Sequence, residues 1–333
     1  MDFRKLPKVE LHCHLDGSIR PETVIDIAKK ENILISSYNI EGVKELLIAP
    51  MECKSLREYL KRFDIPVQVM QSKYSLKRIT YELLEDAYNE NVKYMEIRFA
   101  PLLHIEKGLT VEEVIESVLE GIKKAEDEFD IKANLILSFL RHMPKNTMID
   151  VIKKSKNFIG RGVVAVDLCG NEEAGFCKNF IEPIKIAKDL GYRVTIHAGE
   201  AGVGENVVDA IEMLGAERIG HGIFIKNCDS AYNMVKEKGI TLEVCPTSNI
   251  QTKAVDKIYN HPIYDFYKDG IRTTINTDNR TVSNTNLTKE YEVIKSNFNI
   301  TYEDYKKLYF DGIDASFADL NTKNKLKEIW NLK

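Results

Sequence analysis

The sequence predicts an α/β chain folded as a (β/α)8 barrel of the TIM type, and three observations carry that reading. Eight short runs rich in β-branched residues recur along the chain, each ending in polar residues. Segments with apolar residues at helical spacing separate them, and no linker, low-complexity tract or internal repeat interrupts the series. Strands alternating with helices imply a parallel sheet, and eight strands close such a sheet into a barrel.

The runs are Val9–Leu15, Val92–Pro101, Lys132–Arg141, Val163–Gly170, Arg193–Glu200, Arg218–Gly222, Thr241–Asn249 and Arg272–Asn279. Between them the periodicity predicts helices over Val111–Phe129, Met148–Phe158, Phe180–Leu190, Val207–Leu214 and Ala231–Lys238. The first connection is longer than the rest. Residues 15–91 read as a helical insertion, with helices including Leu56–Met70 and Leu76–Asn89, that caps one barrel end. Extra C-terminal helices over Leu287–Phe298, Tyr302–Phe317 and Lys323–Trp330 close the other side. Residues 1–333 read as one domain that carries the cap within it.

A chain of 333 residues is long enough for one barrel with elaborated loops. Its 47 Lys and Arg against 51 Asp and Glu leave a net charge of −4, with no long run of one sign, which argues against a nucleic-acid partner. The start lacks the apolar core of a signal peptide, and no stretch approaches the roughly 18 apolar residues of a membrane span. Six cysteines (Cys13, Cys53, Cys169, Cys177, Cys228, Cys245) lie far apart without a CxxC pair and read as reduced thiols. These features predict a cytoplasmic protein with no membrane partner. They leave it a monomer or a weak homo-oligomer.

Chemistry in such a barrel sits at the C-terminal ends of the strands. The first run ends Glu-Leu-His12-Cys13-His14-Leu-Asp16-Gly, and strand alternation turns His12 and His14 to one face. Two imidazoles so placed can share a metal ion, although the short pattern also fits two ordinary histidines. The fifth run ends in His197-Ala-Gly-Glu200, the sixth in Gly-His221-Gly, and the eighth in Thr-Asp278-Asn279. A lone histidine of this kind is often a core residue, and a lone aspartate often a cap. Together they weigh more, because four of only seven histidines fall at strand ends. Three imidazoles and a carboxylate suit zinc or another borderline divalent ion with a position left for water, not an all-oxygen magnesium or calcium site. The pattern is that of a metalloenzyme.

The remaining histidines read as structural: His104 and His142 in loops after strands, His261 at a helix start after a capping Asn260. Arg98 and Arg141 read as partners in ion pairs near the barrel mouth, and Cys169 and Cys245 as packing residues.

Six segments, in order, resemble the adenosine deaminase family of the amidohydrolase superfamily. They are Val-Glu-Leu-His-Cys-His-Leu-Asp-Gly-Ser (9–18), Asp-Leu-Cys-Gly-Asn-Glu (167–172), His-Ala-Gly-Glu (197–200), Gly-His-Gly (220–222), Cys-Pro-Thr-Ser-Asn (245–249) and Thr-Asp-Asn (277–279). The resemblance implies a zinc-dependent barrel that hydrolyses adenosine and 2′-deoxyadenosine, small purine nucleosides, to inosine and 2′-deoxyinosine plus ammonia in purine salvage. It implies His12, His14, His197 and Asp278 as ligands of one zinc ion per chain. A zinc-activated water would attack C6 while Glu200 protonates N1, and His221 would orient or deprotonate that water. Asp16 would hold a ribose hydroxyl and Gly170 would give a backbone N–H to the purine ring. Tyr59 and Phe63 resemble the aromatic lid of the cap, against the simpler reading of core aromatics.

Two departures stand out. Many members carry a second Asp where this chain has Asn279, the contact to purine N7. N7 accepts hydrogen bonds, so an Asp must be protonated there, whereas Asn donates as it stands. Cys169-Gly170-Asn171 replaces the common Ala-Gly-Asp but keeps the glycine. Relatives acting on free adenine or on N6-modified adenine nucleotides tend to carry Glu or Asn in place of Asp16. A carboxylate there favours a neutral ribose over a 5′-phosphate. An amidohydrolase with an unrelated substrate would leave positions 170, 200 and 279 unexplained.

Overall fold

All eight predicted runs form strands in the computed structural model, which describes residues 1–51 and 53–331. They are β1 (Lys8–His14), β2 (Val92–Phe99), β3 (Lys132–Leu140), β4 (Val163–Cys169), β5 (Arg193–Ala198), β6 (Arg218–His221), β7 (Thr241–Val244) and β8 (Thr273–Ile275). Each pairs in parallel with the next, in the order β1 to β8. A bridge between Cys13 and Asp278 joins the two ends. At that seam the Asp278 N–H donates to the His12 carbonyl at 2.9 Å, and the His14 N–H to the Asp278 carbonyl at 2.7 Å. Barrel closure therefore sets Asp278 beside both histidines of β1.

The last strands are shorter than their runs. Pro246 opens a helix, Pro246–Gln251, and so ends β7. Beyond β8 a side chain continues the pairing: Asn276 Oδ1 accepts from the Leu11 N–H at 3.0 Å while its amide nitrogen donates to Thr274 Oγ1 at 2.9 Å.

Strands sheathed by helices bury both faces. Leu11, Ile97, Leu135, Val166, Ile196, Ile219 and Leu242 are buried in the main core. The barrel interior is charged. Glu243 accepts from Arg98 Nη2 at 2.7 Å, Arg218 Nε at 2.6 Å and Thr195 Oγ1 at 2.9 Å, and Arg218 also pairs with Glu96. Arg98 is thus the structural partner its position suggested. Arg141 differs from its reading: among the described residues it makes no ion pair, and its guanidinium donates to the carbonyls of Gly170 and His197 and stacks on Phe176.

The insertion contains helices Pro21–Lys30, Ile40–Leu47, Leu56–Leu60, Asp64–Val69 and Lys73–Asn89. The single helix expected over 56–70 is broken by a 3-10 turn at Lys61–Phe63. Pro66 then falls in the first turn of Asp64–Val69, where its missing N–H costs nothing. At the opposite end Tyr302–Ala315 packs along the seam, with Tyr305 donating to the Pro7 carbonyl at 2.7 Å. Arg218 donates to the Ala315 carbonyl at 3.0 Å and lies over the Phe317 ring. The tail closes that end as the sequence suggested. Among the described residues no helix is long and apolar enough to cross a membrane, and all six cysteines are buried.

Candidate active site

The C-terminal ends of the strands open into a cavity of about 610 Å³. His14, Asp16, Gly170, His197, Glu200, His221, Asp278 and Asn279 all line it, and His12 lies fully buried beneath. Eight of the nine residues singled out in the sequence therefore share one cavity wall. The cap supplies the apolar side through Leu56, Tyr59, Leu60, Phe63 and Val67. Tyr59 is buried, and its hydroxyl lies 2.6 Å from Ser283 Oγ in the segment after β8, which ties the cap to the barrel. His142, read as a plain loop residue, also lines the cavity.

The imidazoles converge at the seam. His12 and His197 ring centroids are 4.5 Å apart, and the Nε2 atoms of His14 and His197 are 3.3 Å apart. Asp278 Oδ1 is 3.5 Å from Nε2 of both His12 and His14. Gly220 permits this approach: a Cβ there would stand 3.0 Å from His12 and 3.2 Å from His197 Cα. Asp278 and His221 adopt φ of 60° and 63°, a left-handed conformation uncommon for residues with a Cβ.

These groups fit a metal ion. His12 Nδ1 lies 2.9 Å from Glu243 Oε2 and His197 Nδ1 lies 2.9 Å from Asp167 Oδ1. Each carboxylate fixes the proton on Nδ1 and leaves an Nε2 lone pair facing the centre, the usual second layer around ligating histidines. The buried His12 Nε2 has no hydrogen-bond partner among the described residues. One donor atom each from His12, His197, His221 and Asp278 lie within 4.8 Å of one another. His14 joins through its contacts to His197 and Asp278, so the protein presents five donors around one point. Ser248 donates to the other oxygen of Asp278 at 2.5 Å.

Glu200 is buried, with Oε2 3.7 Å from His221 Nε2. Burial, and then the charges of Asp278 and Glu172, hold its pKa well above the carboxylate range. Burial likewise holds His221 well below the usual imidazole value. Asp16 is pushed up to about 7, chiefly by burial, and its Oδ1 has no partner among the described residues. Asn279 Oδ1 is equally unpartnered. Gly17 makes room for it, since a Cβ at 17 would meet that oxygen at 1.9 Å.

Three supporting carboxylates carried no assigned role in the sequence reading: Glu243, Asp167 and Glu172. Glu172 accepts from the N–H groups of Gly199, Glu200 and Ala201 at 2.7–2.9 Å and from Asn206 Nδ2 at 2.9 Å, which pins the loop that carries Glu200. The readable signal was an acidic residue inside, or just after, an apolar strand run. The buried His261 also differs from its reading: it receives the Ile263 N–H on its own Nδ1, and Asn260 instead donates to Asp256.

Comparison with known proteins gives the family of the chain that carries this site. The family model described as adenosine deaminase matches residues 7–330. An adenosine deaminase of Clostridium perfringens (strain 13 / Type A) is 59% identical over 327 residues, which cover 98% of each chain. Among solved structures, adenine deaminase from Arthrobacter aurescens superimposes with a TM-score of 0.90 at 25% identity over 97% of each chain. An amidohydrolase from Burkholderia ambifaria with bound zinc gives 0.89 at 26% identity, over 99% of this chain and 90% of that one. The chain belongs to the adenosine deaminase family.

Proposed function

We propose that this chain deaminates adenosine and 2′-deoxyadenosine, releasing ammonia and leaving inosine or 2′-deoxyinosine. One observation carries the reading: the buried Glu200 carboxyl stands beside His221 in a cavity that also holds the histidine–Asp278 cluster. One zinc ion held by His12, His14, His197 and Asp278 would supply a water made nucleophilic near neutral pH, since zinc lowers the pKa of such water to about 7.

Adding water at C6 breaks the purine's aromaticity, and N1 must gain a proton as the new bond forms. Glu200 supplies it. Its raised pKa keeps a carboxylic acid protonated where an exposed one would be ionised. His221 and Asp278 hold the attacking water toward C6. The two protons given up by the water reprotonate Glu200 and the amino group, the C6–N bond breaks to release ammonia, and the oxygen stays on C6 as a carbonyl. Asn279 donates its amide to N7, and the Gly170 N–H donates to the ring. Asp16 accepts from a ribose hydroxyl, while Tyr59 and Phe63 shut solvent out from the cap side.

Stripping the protein with a chelator, then restoring zinc alone, tests the assignment. Ammonia release from adenosine should vanish and return. Unchanged release from protein shown to be metal-free would overturn the role of the cluster.

A further inference from the structure

A chain of groups behind His221 fixes where its proton sits. It begins at a donor whose direction is unambiguous: the backbone N–H of Ile263 points at Nδ1 of His261, 3.2 Å away. Burial pushes the His261 pKa down to about 3, so the ring is neutral and holds one proton. With Nδ1 accepting, that proton is on Nε2, which faces Asn249 Oδ1 at 3.3 Å. The fully buried Asn249 therefore turns its carbonyl to His261 and its amide nitrogen to His221 Nδ1, at 3.0 Å. The opposite amide orientation would set N–H against N–H. His221 thus accepts at Nδ1 and carries its proton on Nε2, the atom nearest Glu200.

His12 and His197 are wired the other way, with Nδ1 on a carboxylate and an Nε2 lone pair toward the centre. Of His12, His197 and His221, His221 is the one whose inward nitrogen has no lone pair to give.

We infer that Asn249 and His261 are positioning residues that hold His221 as an Nε2–H hydrogen-bond donor to the water attacking C6, outside the metal's ligand set. The inference rests on the reaction proposed above for the identity of that water, but the proton's location is a property of the protein alone. It leaves Asp278 as the acceptor facing the same water. Neither Asn249 nor His261 touches the reacting atoms.

Nitrogen NMR of the zinc-loaded protein with isotope-labelled histidine reads the tautomer directly. The expected signature for His221 is a protonated Nε2 and a bare Nδ1. In Asn249→Asp the new carboxylate draws the proton to Nδ1, and kcat for adenosine falls by about 10- to 100-fold with KM changed less than about threefold, the scale of a lost supporting contact. If that variant does not fold, the His261 pair decides: His261→Leu lowers kcat in the same manner, and His261→Gln, which keeps a donor toward Asn249, recovers most of the loss. A wild-type His221 protonated on Nδ1 would overturn the inference, as would folded Asn249→Asp or His261→Leu protein with wild-type kcat. A protein inactive on adenosine but showing the Nε2–H signature would keep the relay and remove the substrate reading instead.

Discussion

Glu200 Oε2 lies 3.7 Å from His221 Nε2, so the groups proposed to protonate N1 and to orient the attacking water stand side by side at the ends of β5 and β6. The donor must stay protonated to work. Burial raises its pKa, so kcat/KM for adenosine should hold through neutral pH and fall on the alkaline side as Glu200 ionises. Glu200→Gln should fold, retain zinc and lose about 10²–10⁴-fold in kcat, the range that general-acid help provides. A near-normal kcat in that variant would remove the assigned role.

Asp16 is the residue proposed to distinguish a nucleoside from a free base. Its carboxyl is buried in the cavity, and one oxygen has no hydrogen-bond partner among the described residues. Asp16→Asn should cut kcat/KM for adenosine by about 10- to 100-fold, as expected for weakening a buried hydrogen bond to the substrate. Steady-state kinetics with both substrates check this. A variant that keeps full efficiency with adenosine shows that Asp16 does not read the sugar.

Glu243 ties the metal-facing histidine to the charged interior. It contacts His12, Arg98, Arg218 and Thr195 at once. Glu243→Gln removes the charge between two buried guanidiniums and should destabilise the fold by about 3–5 kcal/mol. It should also weaken zinc binding by about 10- to 100-fold. Denaturant unfolding and metal competition measure the two effects separately, and an unchanged zinc affinity would confine Glu243 to a structural role.

Acid should loosen the protein through His104, which is fully buried and stacked on Phe99. Burial lowers its pKa from 6.5 to about 4. Between those values the unfolded chain binds a proton that the folded chain does not, so stability falls as pH drops through the window and levels off below it. The full effect is about 3 kcal/mol at 1.36 kcal/mol per pH unit. His104→Phe keeps the stacked ring and should show a shallower decline in stability from pH 6.5 to 4. Equal declines in the two proteins would assign the acid sensitivity elsewhere.

The positions of the reactive residues were legible because strand periodicity and polar strand ends mark them directly. His12 and His14 share a face by alternation alone. Asp278 was harder to place in space, because it follows a three-residue strand and depends on a positive φ and on the seam with β1. The partners that orient the histidines stayed hidden. Asp167, Glu172 and Glu243 come from β4, the loop after it and β7, and their meaning depends on which strands lie opposite, which only the closed barrel defines. The break in the cap helix was foreshadowed by Pro66, whose ring a continuous helix over 56–70 could not hold in its interior.

The most direct test follows the purine's ultraviolet absorbance as purified, zinc-loaded protein meets adenosine, adenine and AMP in parallel, with and without a chelator. The account predicts a change with adenosine alone, abolished by the chelator and restored by zinc. A change with adenine instead would keep the chemistry and overturn Asp16 as the ribose contact. Folded, zinc-loaded protein that changes none of the three would contradict deamination altogether.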